Sequence, residues 1–255
     1  MTQPLPWKVA WVTGASTGIG REIALALAAG GVRVAASARS AEKLSALGAG
    51  IRGYPLDVTD SVAMATTAER IARDLGPIDI AVFAAGAYQP VTASAIDAEV
   101  FGTLMQTNYM GVVNGLAALL PAMQARRAGH LAWIASVAGY RGLPKAAAYG
   151  PTKAALINLA ESLKPELDGM GIAVSVINPG FVETPMTAGN DFPMPFLMQP
   201  AEAARLAIAG LVSQRFEIAF PRRFVAILKI ARLLPYWLYF RIIRRAVLKD
   251  GKGPG

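Results

Sequence analysis

A doubly wound parallel α/β sheet in a single domain, extended by a short helical tail, is the fold class this sequence predicts. Two observations predict it. Short apolar runs alternate with helical patterns from Val9 to Phe220, the order expected of a parallel sheet covered on both faces. A glycine-rich turn, Gly14 to Gly20, joins the first apolar run to the first helical pattern. A length of 255 residues, 54% apolar and 16% charged, is enough for one large core and excludes disorder.

Composition removes several function classes. With no cysteine there is neither a disulfide framework nor a thiolate metal site, and the chain fits a reducing cytoplasm. The single histidine, His130, excludes a His-pair metal site and a Ser-His triad; it reads as the first residues of a strand. No metal is expected. Lys8 leads straight into Val9-Ala10-Trp11-Val12 and then glycines, which is a first strand and not a signal peptide. Net charge is +8, but residues 1–221 hold 16 basic and 16 acidic side chains. The excess lies in residues 222–255, with nine basic side chains against Asp250 alone. A DNA-binding surface on the main domain is therefore not expected, nor any nucleic-acid partner.

Taken in order, Val9 to Thr13 is strand-like, and Thr13-Gly14-Ala15-Ser16-Thr17-Gly18-Ile19-Gly20 leads into a helix over Arg21 to Ala29. Glycines at 14, 18 and 20 permit a tight turn and a close backbone approach to a pyrophosphate, with the helix N-terminus offering free N–H groups. Val32 to Ala38 is a second strand that ends without an acidic residue for a ribose hydroxyl. Arg39, helped by Ser37 or Ser40, suits a 2′-phosphate instead, so NADP(H) is favoured over NAD(H); an ordinary solvated arginine is the alternative. A third apolar segment ends at Leu56-Asp57-Val58, before a helix over Ser61 to Leu75. Asp57 could hold an adenine amino group or cap its own turn. Ile78 to Ala84 is a fourth strand, followed by Ala85-Gly86, small enough for a nucleotide to lie against the backbone. Asp97 to Arg127 reads as a long helical region carrying Asn108.

Leu131 to Ala135 is a buried strand ending in Ser136, and Tyr149 to Met170 is a long helix. Tyr149 and Lys153 are four apart and share its face; Pro151 sits in its first turn, where a missing N–H costs nothing. Phenol, ammonium and the Ser136 hydroxyl can thus line one pocket at the C-terminal end of the sheet. A strand over Ile172 to Asn178 is followed by Pro179-Gly180-Phe181-Val182-Glu183-Thr184, from which Thr184 could reach a cofactor's carboxamide. Met186 to Pro200, rich in Met, Pro and Phe, reads as an apolar lid, followed by a helix to Gln214 and a last strand over Phe216 to Phe220.

These residues resemble the short-chain dehydrogenase/reductase family over about residues 7 to 221, a Rossmann-type fold. The matching positions are Thr13-Gly14-x3-Gly18-Ile19-Gly20, Asp57, Ala85-Gly86, Asn108, Ser136, Tyr149-x3-Lys153 and Pro179-Gly180. The resemblance implies that Tyr149 protonates a carbonyl oxygen as hydride arrives from a nicotinamide. Lys153 and the oxidised ring would lower its phenol from an ordinary value of about 10. Lys153 would also bind ribose hydroxyls, Ser136 would position the substrate oxygen, and Asn108 would support a water passing protons to Lys153. Cofactor contacts are expected from Gly14, Ser16, Thr17, Gly18, Ile19, Gly20, Arg39, Asp57, Val58, Ala85, Gly86, Tyr149, Lys153, Pro179, Gly180, Val182 and Thr184. The family commonly has two asparagines where this chain has Phe83 and Ala84, and those asparagines tie the sheet to the adenosine side. An apolar, lipid-like substrate and a homo-oligomer complete the expectation; a catalytically idle nucleotide-binding protein is the alternative.

Residues 222–249 carry eight Lys/Arg and no acid among large apolar side chains. Arg241, Arg244, Arg245 and Lys249 cluster on one helical face, with Leu238, Tyr239, Ile242, Ile243, Ala246 and Val247 opposite. Such a helix can lie in a membrane interface with Tyr236 and Trp237 at the boundary. It can equally pack over the active site or a partner subunit.

Overall fold

A computed structural model of the protein describes residues 5–247. Its strands are β1 (Val9–Thr13), β2 (Arg33–Ala38), β3 (Ile51–Pro55), β4 (Ile80–Phe83), β5 (Gly129–Ile134), β6 (Ile172–Pro179) and β7 (Glu217–Phe220). They form one parallel sheet in the order β3-β2-β1-β4-β5-β6-β7. Strand order reverses between β1 and β4, so the loops leaving these strands part to opposite faces and open a crevice at their C-terminal ends.

The helices are α1 (Gly18–Ala29), α2 (Ala41–Ser45), α3 (Ser61–Leu75), α4 (Ala98–Met105), α5 (Gly111–Arg126), α6 (Tyr149–Gly169), α7 (Pro200–Val212), α8 (Arg222–Leu233) and α9 (Tyr236–Val247). Strand side chains alternate between faces, so β1 sends Ala10 and Val12 to the core under α1 and α7, and Val9 and Trp11 to the core under α3, α5 and α6. Every β1 residue is buried as a result, which is why its run is apolar up to Thr13.

Four local features depart from the sequence expectations. The third strand stops at Pro55 and not at Val58, because the Asp57 carboxylate accepts from Thr59 N at 2.9 Å and Thr59 Oγ1 at 2.8 Å and turns the chain. Ser40 accepts from Lys43 N and starts the short α2, which periodicity over five residues could not reveal. The long helical region is α4 and α5 joined through a π-helical turn, Gln106–Met110, that carries Asn108. The tail adds α8 ahead of α9, which is the basic amphipathic helix expected there, and the chain breaks between them at Leu234 and Pro235. Among the described residues no helix is long and apolar enough to cross a membrane. Lys249 lies outside the described residues.

Phe83, where the family resemblance leads to an expected asparagine, belongs to the apolar core. It is buried and meets Trp11 edge-on, with ring centroids 6.4 Å apart. Gly115 of α5 makes the room: a Cβ there would sit 2.2 Å from Phe83 Cε1. The ring therefore takes space that a helix side chain would otherwise fill. Gly115→Ala is expected to lower stability by about 1–3 kcal/mol through overpacking, and combining it with Phe83→Leu should restore part of the loss in denaturant titrations.

Candidate active site

The glycine turn fits against the crevice by steric necessity. Gly14 has φ +66°, and a Cβ there would lie 2.5 Å from Ala85 N, so the turn can press onto the end of β4 only as glycine. At Gly20 a Cβ would lie 2.5 Å from Gly14 O and 3.1 Å from the Ala84 methyl, which brings α1 down onto the turn. Gly18, at φ +58°, faces Thr184 with 3.0 Å between a Cβ and the threonine methyl. Thr17 at the N-cap makes no side-chain capping bond, and no acid occupies the first turn of α1. Ser16, Thr17, Gly18 and Ile19 remain partly exposed. Free N–H groups at a helix N-terminus, reached by a turn without side chains, suit a pyrophosphate, so these residues fit a dinucleotide.

The polar cluster is built on β5, α6 and the π turn. Lys153 is buried, and its Nζ donates to the Ile134 carbonyl at 2.8 Å. It lies 5.4 Å from the centroid of the Tyr149 ring. Ser136 follows the end of β5 in extended backbone; its Oγ accepts from Ala138 N at 3.1 Å and donates weakly to Pro179 O at 3.4 Å. Asn108 is fully buried: its Oδ1 accepts from Ala87 N at 2.7 Å, and its Nδ2 donates to Ala87 O at 3.0 Å and to Thr152 Oγ1 at 3.1 Å. It clamps the loop after Gly86 to the first turn of α6. A Cβ on Gly86 would point to Asn108 Oδ1 and Lys153 Nζ, at 3.4 and 3.7 Å, so that position is held open beside both polar groups.

Burial dominates the titration of the pair. It pushes the Tyr149 phenol up to about 12, with the Ser136 hydroxyl working against it and Tyr88 adding to it. It pulls the Lys153 ammonium down to about 7, against the Ile134 carbonyl, which favours the charged form. Neither group is in its ordinary aqueous state.

The remaining predicted positions are placed as follows. Arg39 is exposed at the end of β2, and its charge helps hold the Asp57 carboxyl below the usual range, after the two Thr59 hydrogen bonds. Asp57 is exposed on the same rim and caps its own turn. Ser37 cannot assist Arg39: it is buried and accepts from Trp11 Nε1 at 2.9 Å, a packing role the strand's alternation dictates. Val58 packs on Gly111. Pro179 ends β6, Gly180 donates to Phe220 O at 2.7 Å, and Val182 is buried. Thr184 N donates to Thr187 Oγ1, which turns the chain into the lid.

Sequence reasoning missed several neighbours. Tyr88 meets Tyr149 edge-on at 5.2 Å, with no signal beyond its place two residues after Gly86. Gly139 lets its turn touch α6, since a Cβ there would lie 2.7 Å from Lys153 C. Lys145, just before α6, pairs with Asp191 at 2.8 Å and so ties the 186–200 segment to the loop ahead of Tyr149. Among the described residues no group of three potential ligands could hold a metal ion.

Residues 8–192 match the family model described as short chain dehydrogenase. The chain belongs to the short-chain dehydrogenase/reductase family. As a member it is an NAD(P)-dependent oxidoreductase, and its relatives agree. It is 39% identical over 248 residues to an uncharacterised oxidoreductase of Myxococcus xanthus, covering 94% of this chain and 98% of that one. It is 39% identical over 184 residues to the 3-oxoacyl-(acyl-carrier-protein) reductase FabG of Escherichia coli, covering 71% and 75% of the two chains. The solved short-chain dehydrogenase from Streptomyces avermitilis superposes with a TM-score of 0.80 at 26% identity, covering 94% of this dehydrogenase/reductase and 96% of its own chain.

Between about pH 7 and 10.5 the unfolded enzyme holds a proton on Lys153 that the folded enzyme has released, so folding strengthens as pH rises through that window. In Lys153→Met this gain is absent. The stability difference between wild type and variant should move in favour of wild type by up to about 1.4 kcal/mol per pH unit, read from denaturant midpoints; a flat difference would mean the ammonium keeps its ordinary value.

Proposed function

We propose that the protein interconverts a carbonyl and an alcohol on an apolar substrate, with NADP(H) as cofactor and Tyr149 as acid and base. The observation that carries the reading is the Lys153 ammonium, 5.4 Å from the Tyr149 ring centroid and bonded to the Ile134 carbonyl two residues before Ser136, with Gly86 beside it and the glycine turn packed on the neighbouring Ala85. The glycine turn and Lys153 would hold the dinucleotide, which when bound would supply the hydride for the carbonyl carbon. Tyr149 Oη gives its proton to the carbonyl oxygen, which the Ser136 hydroxyl orients by turning from its weak bond to Pro179 O. When charged, Lys153 stabilises the phenolate left behind, and it would also hydrogen-bond ribose hydroxyls. Asn108 is a positioning residue that supports proton return to Lys153 by fixing Ala87 and Thr152.

The cofactor preference is supported by the exposed guanidinium of Arg39 at the end of β2, where no carboxylate stands to receive a ribose hydroxyl. An apolar substrate is supported by the lid: Phe192 lies 6.0 Å from Phe181, and Phe196 lies 6.1 Å from Phe224. A relative named for reducing 3-oxoacyl groups makes a 3-oxoacyl chain a rational first substrate. The expected working form is a homo-oligomer, as the family resemblance implies, in the reducing cytoplasm that a sequence without cysteine fits, or at a membrane surface through its tail.

The test is cofactor oxidation, NADPH against NADH, over ketones, aldehydes and 3-oxoacyl thioesters of increasing chain length. Turnover should require NADPH, and kcat/KM should rise with chain length. Tyr149→Phe should lower kcat by about 10²–10⁴-fold with nucleotide binding intact. Arg39→Ala should weaken NADPH binding by roughly tenfold or more and leave NADH binding unchanged. Nucleotide binding without turnover on any of these substrates would favour the idle, nucleotide-binding alternative.

A further inference from the structure

We infer that α8 and α9 form a preshaped face that docks the protein on an anionic lipid bilayer. The tail is held in one place by contacts that neither chemistry nor the sheet requires. Arg141 Nη1 donates to the carbonyls of Ala231, Arg232 and Leu234 at 2.6, 2.9 and 2.8 Å, capping the C-terminus of α8. The same guanidinium lies 4.0 Å from the centroid of the Tyr239 ring, and Tyr239 donates to the Gly142 carbonyl. Lys229 pairs with Glu217, and Phe224 stacks on Phe181 at 5.6 Å.

This anchoring changes which residues are free. Tyr239, one of the apolar-face residues of the helical wheel, is 3% exposed and packs against the rest of the protein. What stays outside is Ile230 and Leu233 on α8, 62% and 84% exposed, and Tyr236, Trp237 and Phe240 on α9, 73%, 69% and 55% exposed. A chain that can bury such side chains normally does so, and a cluster left out marks an interaction surface.

Charge chooses the partner. Arg222, Arg223, Arg241, Arg244 and Arg245 are all exposed, and no acidic residue occurs in either helix. A second copy of the same face would oppose like charges. Nucleic acid would find the cations but would leave the isoleucine, leucine and tryptophan unused. Anionic headgroups over an acyl boundary satisfy both sets at once, with Trp237 and Tyr236 at the boundary. Because Phe224 of α8 also touches Phe196 of the lid, the bilayer would lie next to the segment over the crevice. That last step, delivery of an apolar substrate, rests on the proposed function; docking itself does not.

The test is flotation of the intact protein with vesicles of phosphatidylglycerol and phosphatidylcholine, against phosphatidylcholine alone. Binding is expected only to the anionic vesicles and should fall with added salt. Arg241→Glu with Arg244→Glu should weaken it by about tenfold or more. Leu233→Ser with Trp237→Ser should abolish it, while thermal midpoint, nucleotide binding and turnover of a water-soluble carbonyl stay unchanged. Failure to float with anionic vesicles overturns the proposal. So does a concentration-dependent dimer that the Leu233→Ser, Trp237→Ser variant dissociates, without vesicle binding. Docking with no turnover on any carbonyl would leave this inference standing and remove the proposed function.

Discussion

The structure turns on a buried lysine. Lys153 is carried by α6 into the C-terminal end of the sheet, where its ammonium has the Ile134 carbonyl and little else to replace water. Keeping a group in that state requires its surroundings to be fixed in advance. Gly139 allows the preceding turn to touch the lysine's own backbone, and Asn108 locks the first turn of α6 to the loop after β4. The π turn in the α4–α5 segment aims Asn108 inward, the kind of local irregularity that functional sites tend to carry. Burial raises the phenol and lowers the ammonium, in each case disfavouring the charged form, and a cationic neighbour would act against the shift of the phenol alone.

The second constraint is contact without side chains. The turn at Gly14 meets the end of β4, and Gly18 meets Thr184 after β6, so the loops of three strands approach one another across the crevice. Ordinary residues there would hold them apart. Where the chain departs from its family, at Phe83, an added ring is matched by Gly115 opposite it and by Trp11 beside it. The substitution is thus absorbed by apolar packing, and the crevice on the far side of Ala84 keeps its glycine contacts.

The tail illustrates how one arginine can join two regions. Arg141 follows the turn that Ser136 begins, and it holds both the end of α8 and the ring of Tyr239. Glu217 does a similar task from β7, accepting from Tyr140 at 2.5 Å and Asn178 at 3.1 Å while pairing with Lys229. The catalytic-side loop and the extension are therefore one packed unit, and the surface that α8 and α9 present is decided by where they are anchored.

Much of this was legible in the sequence because it follows from periodicity and spacing. Alternating apolar runs specified the strands of a parallel sheet, since strands buried on both faces need no polar side. Gly14, Gly18 and Gly20 marked the turn, and Tyr149 and Lys153 shared a helix face by their separation alone. Other features depended on partners distant in the chain. Ser37 is a core hydroxyl only because Trp11 lies opposite it, Asn108 serves Ala87 and Thr152, and Tyr88 becomes a neighbour of Tyr149 only once the loops meet. The helical wheel could show that the tail is amphipathic and basic. Which of its aromatic residues turn inward was decided by Arg141 and Gly142, some 90 residues away along the chain, because local periodicity carries no information about the surface a helix will meet.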